Sequence, residues 1–276
     1  MKPQVFLPLV TYPQANADAV VAQAVALASA LDADLQATAF AADFPTVASP
    51  LGRVLLNVPE MIREAEAKSR ARCAALLRLV EESGAAAGVS ISTSILSAPV
   101  GDLDRVAAEA RLFDLTAVGW ERDNQTTAMT AEALVFGSGR PVVLLPQAPD
   151  PGGVEAVAIA WDGSGVAARA AFDAMPFLAR AKRVAVLTVT DEKPMERDVG
   201  PRFAEALKRR GLPAEALAVP AQDGPVSDTL QEEALRWGAK LLVMGGYGHS
   251  RLRDFVLGGA TKGILSDLRL PVLLSH

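Results

Sequence analysis

The sequence predicts an α/β fold made of two tandem repeats, each an open, mostly parallel sheet flanked by helices. Three observations predict it. Short apolar runs alternate with longer helical patterns from end to end, as in parallel βαβ units. That alternation restarts after a break rich in Pro and Gly at residues 146–153. The two halves also share sequence at a nearly constant offset. Ala98-Pro99-Val100-Gly101-Asp102 aligns with Gly224-Pro225-Val226-Ser227-Asp228, and Asp114–Gly119 with Lys240–Gly245, both at 126 residues (225 − 99 and 245 − 119). Arg140-Pro141-Val142 aligns with Leu270-Pro271-Val272 at 130 (271 − 141), so the second half carries about four extra residues in between, where glycine is dense. The expected division is a first domain over 1–147, a linker over 148–153 and a second domain over 154–276, sizes ordinary for α/β domains.

Each element has its own signal. Val5–Val10 is an apolar run that reads as a buried strand, turned by Thr11-Tyr12-Pro13. From Ala17 to Leu31, Val20, Val21, Ala24, Leu27, Ala28 and Leu31 form a helical stripe. Leu35–Phe40 is a second strand, and 41–58, with Pro45, Pro50 and Gly52, a long loop. Glu60–Glu82 is rich in helix formers, and Gly84 is the expected stop. Val89–Ile95 alternates as a strand, Asp102 is a helix N-cap for a segment reaching Phe113, and Leu115–Gly119 is the next strand. Thr126–Phe136 is helical and Val142–Leu145 closes the first unit. In the second half the strands are Ala156–Ala160, Val184–Val189, a short one around Leu217 and Val219, and Leu241–Met244. The helices between them are Val166–Leu178, Pro201–Arg210 and Thr229–Trp237.

Composition narrows the function. The chain has 276 residues, half of them hydrophobic, enough for a sizeable core without staples. Twenty-seven Lys and Arg against 32 Asp and Glu give a net charge of −5, which argues against nucleic acid or an acidic membrane as partner. A single cysteine, Cys73, excludes an internal disulfide and a cysteine zinc cluster; its place in a helical pattern marks it as a buried, inert thiol. Pro3, Pro8 and Pro13 interrupt any signal-peptide core, and Ala15–Leu31 is too short and too polar to span a bilayer. A cytoplasmic protein without membrane contact is expected.

The chemistry concentrates after the strand Leu241–Met244. Gly245, Gly246 and Gly248 follow it, then Gly258 and Gly259 before a helical pattern containing Ala260 and Thr261. Glycine lets backbone N–H groups approach an anion, and a helix start adds unpaired N–H groups and the positive end of the macrodipole. The spacing is neither the dinucleotide fingerprint nor the Walker loop. The alternative reading of the same glycines is a loop that is merely tight.

The pattern of Gly245, two residues, Gly248, nine residues, Gly258 resembles the motif of the universal stress protein (UspA) family, with Gly259 where that motif has Ser or Thr and Thr261 two residues on. With the repeat, the resemblance covers nearly the whole chain as a tandem pair. It implies a Rossmann-like fold of the adenine nucleotide alpha hydrolase type, and ATP or another adenine nucleotide, with or without Mg2+, as ligand of the second domain. Asp162, in Trp161-Asp162-Gly163-Ser164, resembles the family's Asp-Gly-Ser and is placed by it near the base and ribose; a turn or capping aspartate suits the same local sequence. The resemblance further assigns Val189 to the base region, Met244, Gly245, Tyr247 and Gly248 to the strand end and loop of the nucleotide site, and Gly258, Gly259, Ala260 and Thr261 to the phosphates. Val189 also suits ordinary core. His249, Arg251 and Arg253 add positive charge nearby and equally suit loop surface.

The first half lacks the motif. Trp120-Glu121-Arg122 follows Gly119 where the second half has Gly246-Tyr247-Gly248, and Thr11-Tyr12-Pro13 stands where the aspartate belongs. A carboxylate at Glu121 repels phosphate, so the first half is expected to bind no nucleotide. The functional expectation is a regulatory nucleotide-binding protein of the stress response. The alternatives are an interaction scaffold that binds no nucleotide and a slow ATP hydrolase. No residue set suggests catalysis, so no catalytic or metal-ligating residue is assigned. Expected partners are the two domains for one another through their terminal strands, a second copy in a homodimer, and a further protein.

Overall fold

The first half folds as β1 (Gln4–Val10), α1 (Ala19–Ala30), β2 (Asp34–Asp43), α2 (Val58–Ala87), β3 (Ile91–Pro99), α3 (Leu103–Ala110), β4 (Leu115–Trp120), α4 (Gln125–Gly137) and β5 (Val142–Pro146). The second folds as β6 (Ala156–Ala160), α5 (Gly165–Asp173), α6 (Met175–Leu178), β7 (Arg183–Thr190), α7 (Val199–Lys208), β8 (Ala214–Pro220), α8 (Val226–Trp237), β9 (Leu241–Gly245), α9 (Gly259–Ser266) and β10 (Val272–Ser275). The structure is a computed structural model that describes residues 2–45, 57–147, 154–191, 196–246 and 259–276.

The strands form one ten-stranded sheet in the order β3-β2-β1-β4-β5-β10-β9-β6-β7-β8. Within each half every pairing is parallel. The halves meet at one antiparallel pair, β5 with β10, where Val143 faces Leu273 and Leu144 faces Val272. Val143 and Leu273 are counterparts in the repeat alignment, so the seam lies on a pseudo-two-fold axis, as in an isologous dimer interface.

Strand periodicity explains the layers. Val184 and Val186 of β7 face a core completed by α1, α2, α5, α6 and α7 through residues such as Val21, Leu76, Ala170, Phe177 and Phe203. Ala185, Leu187 and Val189 face the opposite core, completed by α3, α4, α8 and α9 through Val106, Leu134, Leu230 and Ile264. Burial on both faces is why these strands read as continuous apolar runs. The first core contains both Val143 and Leu273, so it is continuous across the seam.

Two expectations need correction. The helix predicted to stop at Gly84 continues to Ala87 and ends at Gly88, whose φ of 67° makes the left-handed cap. Gly84 is there for space: a Cβ on it would lie 2.1 Å from Ile91 Cγ1, so the small residue lets β3 fold back against α2. The single helix predicted over 166–178 is two, α5 and α6, broken at Ala174. Pro176 has no N–H to continue the α5 ladder, and it opens the first turn of a new helix instead.

Candidate functional site

Both halves have the topology that creates a ligand crevice. In the second half the chain leaves β6 for β7 on one side and returns to β9 on the other, so β6 and β9 flank a switch point. Open α/β sheets bind ligands outside the carboxyl ends of the strands at such a point. The pairing of β6 with β9 stops at Ile159 and Val243, and the strands diverge beyond it. Because β9 and β10 are parallel, the crossover between them starts α9 at the same carboxyl edge.

Asp162 sits two residues past the end of β6. Its Oδ1 accepts the Ser164 backbone N–H at 2.9 Å, and Ser164 Oγ accepts from Ala167 N–H at 3.2 Å to cap α5. Gly163 makes the turn with φ of 76°. Trp161 anchors the segment: its ring stacks on Phe203 at 3.7 Å between centroids, its Nε1 donates to the Val199 carbonyl, and its backbone N–H donates to Leu187. Asp162 is therefore held rigidly, in part by the turn role that its local sequence also suits.

Gly245 has a packing reason of its own. A Cβ there would lie 2.6 Å from the Val166 carbonyl carbon and 2.8 Å from Ala167 N, both backbone atoms of α5. Its repeat counterpart Gly119 is equally tight, 2.6 Å from Val20 Cγ2 in α1. Glycine at this register is thus needed in both halves for helix to cross strand. Gly246 donates its N–H to the Ser275 carbonyl at 2.7 Å, and its own carbonyl lies 3.1 Å from Nδ1 of His276.

Val189 and Met244 are 6 % and 4 % exposed and belong to the α8–α9 core at the carboxyl end of their strands. Thr261 is buried in the first turn of α9, Ala260 half-buried and Gly259 exposed. Among the described residues no atom lies within 4 Å of where a Gly259 Cβ would stand. Tyr247, Gly248, Gly258 and the expected linker 148–153 lie outside the described residues.

The first half has filled its own crevice. Glu121 Oε1 accepts the Ala17 N–H at 2.9 Å and Oε2 accepts from Asn124 Nδ2 at 3.0 Å. The carboxylate thus bridges the loop after β1 to the loop after β4, across the switch point. What remains beside β1, β2 and α3 is a cavity of about 40 Å3 lined by residues such as Val10, Phe40, Ala42 and Val106. Ligand sites run to several hundred Å3; a recess of that size in the first half, about 750 Å3, lies instead between Tyr12, Pro13 and α2, away from the β1–β4 switch point. Thr11, in the turn after β1, is turned inward: its Oγ1 hydrogen-bonds the Phe40 carbonyl and Ser69, beside buried Cys73. Burial pushes the Cys73 thiol above its ordinary pKa. Sequence reasoning took Glu121 only as a repellent for phosphate and missed its role as an internal bridge.

The geometry defines a class first: a doubly wound α/β protein of two related halves joined through their last strands, with the switch point of the first half bridged by Glu121. Residues 154–276 match the model of the universal stress protein family. A curated relative from Thermus aquaticus, described as a universal stress protein in the QAH/OAS sulfhydrylase 3′ region, is 33% identical over 132 residues, 43% of this chain and 96% of that protein. The chain belongs to the universal stress protein family. Among solved structures, a universal stress protein from Archaeoglobus fulgidus superposes with a TM-score of 0.69 at 14% identity, covering 98% of this chain and 97% of that one. A candidate universal stress protein from Pseudomonas aeruginosa gives 0.57 at 16% identity, covering 99% and 93%. These two likenesses extend the shared fold over both halves. No described helix is long and apolar enough to cross a membrane.

Proposed function

We propose that this chain is a regulatory protein whose second half binds ATP or a related adenine nucleotide, while its first half binds none. One observation carries the reading: β6, which leads into Asp162, and β9 flank a switch point in the second half with no such bridge among the described residues, whereas Glu121 bridges the equivalent point in the first. The described residues fit the ligand. Asp162 offers a carboxylate to a ribose hydroxyl or the base, Val189 and Met244 stand at the carboxyl ends of their apolar strands, and the N–H groups of Gly259 and Ala260 lie in the first turn of α9, where a helix supplies no acceptor of its own. The nucleotide supplies a phosphate chain, with or without Mg2+, that these donors and the positive helix end suit. The loss of a motif hydroxyl at Gly259 removes a hydrogen bond worth about 0.5–1.5 kcal/mol, which weakens such a site without abolishing it.

A scaffold without ligand is the second reading, favoured by one fact: Gly245 is already explained by the backbone of α5. Calorimetric titration of nucleotide-stripped protein with Mg-ATP separates the two. Saturable binding is expected, weakened about tenfold or more in Asp162→Ala. Asp162→Asn keeps an acceptor for the Ser164 N–H and is expected to lose less. Absence of heat at millimolar ATP, with an unchanged melting temperature, would leave the scaffold reading.

A further inference from the structure

The segment that replaces the glycine loop in the first half does two jobs in alternation. Glu121 turns back into its own half, onto Ala17 N–H and Asn124. Its two neighbours reach across to the other half. Trp120, 5 % exposed, donates its indole Nε1–H to the Leu265 carbonyl at 3.1 Å. Arg122 pairs with Asp267. Leu265 lies in the last turn of α9, where backbone carbonyls run out of partners within the helix. Trp120 satisfies one of them, and Arg122 brings positive charge to the negative end of the dipole through the residue just beyond it. The first half thus caps the C-terminal end of the helix whose N-terminal end faces the candidate nucleotide crevice.

α9 is eight residues long, about 12 Å at 1.5 Å per residue. Two turns of helix this short move as one body. Its other ties are close and stiff: a Cβ on Gly263 would fall 1.9 Å from Ser227 Oγ at the start of α8, and Gln231 of α8, wholly buried, donates to the Asp267 carbonyl. Arg269 pins the following loop to Glu232 and Asp267. A ligand that draws the N-terminus of α9 inward therefore has to be accommodated at the Trp120 contact.

We propose that Trp120 is a positioning residue for the nucleotide site of the other half, so that the first half sets the affinity of the second and senses its occupancy. The proposal rests on the nucleotide reading above. It assigns the degenerate half a function: its lost glycine loop has become a brace on its partner's phosphate-facing helix. Coupling of this kind is reciprocal, so whatever displaces the Trp120 segment also alters nucleotide affinity.

The protein holds three tryptophans, and each indole N–H is hydrogen-bonded at a different place. Trp120 reports the brace, Trp161 donates to Val199 beside the candidate site, and Trp237 donates to Glu215 at the opposite edge of the sheet. In 1H–15N spectra of the intact chain titrated with Mg-ATP, the Trp161 and Trp120 indole signals are expected to shift along one saturation curve while Trp237 stays still. Trp120→Phe keeps the ring and removes the donor; it is expected to stay folded and to bind Mg-ATP roughly two- to tenfold more weakly, the range of one neutral hydrogen bond. A purely structural role would lower the melting temperature and leave the Trp120 signal unmoved by ligand. Binding by calorimetry with a shift at Trp161, no shift at Trp120 and unchanged affinity in Trp120→Phe would overturn the brace and leave the nucleotide reading intact. No binding and no shift anywhere would overturn both.

Discussion

Gly245 and Gly259 belong to the same motif but obey different physics. At Gly245 a side chain meets backbone, which cannot rotate away. Gly245→Ala is expected to cost about 1–3 kcal/mol, as overpacking does, read as a lower denaturant midpoint with or without nucleotide. At Gly259 the surrounding space is open among the described residues. Gly259→Ser restores the hydroxyl of the family motif and is expected to leave the melting temperature unchanged. On the nucleotide reading it tightens Mg-ATP binding several-fold; unchanged affinity would mean that no phosphate lies there. Cys73 offers a third test. Its thiol is buried and its pKa raised, because burial penalises the thiolate more than the Thr11 contact favours it. Less thiolate forms at any given pH, so alkylation near pH 8 is expected to wait for unfolding. Rapid labelling of the native protein would contradict the packing of α2 on β1 and β2.

At the scale of elements, most of the fold was legible in the sequence because both faces of the sheet are covered. Parallel strands such as Val184–Val189 and Leu241–Met244 then appear as uninterrupted apolar runs, and the helices between them as stripes. Gly84 escaped because its reason is tertiary. Read locally it stops a helix; in three dimensions it makes room for Ile91 from the next strand. Gly→Ala inside a helix ordinarily stabilises by about 1 kcal/mol. Here Gly84→Ala is expected to destabilise, and Ile91→Ala in the same chain to recover part of the loss. A double-mutant cycle that finds the two changes additive would refute the contact. The candidate site was legible only in part. The pattern put the elements in the right order, with Asp162 just after β6 and α9 between β9 and β10. The brace from Trp120 was not legible, since nothing in a linear sequence says that a carbonyl 145 residues away lacks a partner.

At the scale of the whole molecule, one sheet and a core that runs through the seam make the two halves a single structural unit. Val143 and Leu273 are wholly buried neighbours in that core. Unfolding in urea is expected to show one transition, coincident by fluorescence and by far-ultraviolet circular dichroism; two separated transitions would mean that the halves are independent. Unity of fold goes with asymmetry between the two switch points. The repeat kept the topology of both switch points, but a carboxylate spans one of them and the other retains Asp162 and an exposed helix start. Native mass spectrometry of nucleotide-stripped protein with excess Mg-ATP counts ligands per chain and so tests this asymmetry most directly. The account predicts one nucleotide per chain, reduced in Asp162→Ala and unaffected by Glu121→Gln. Two nucleotides per chain would show that the first crevice is open after all, and none would contradict the nucleotide reading itself.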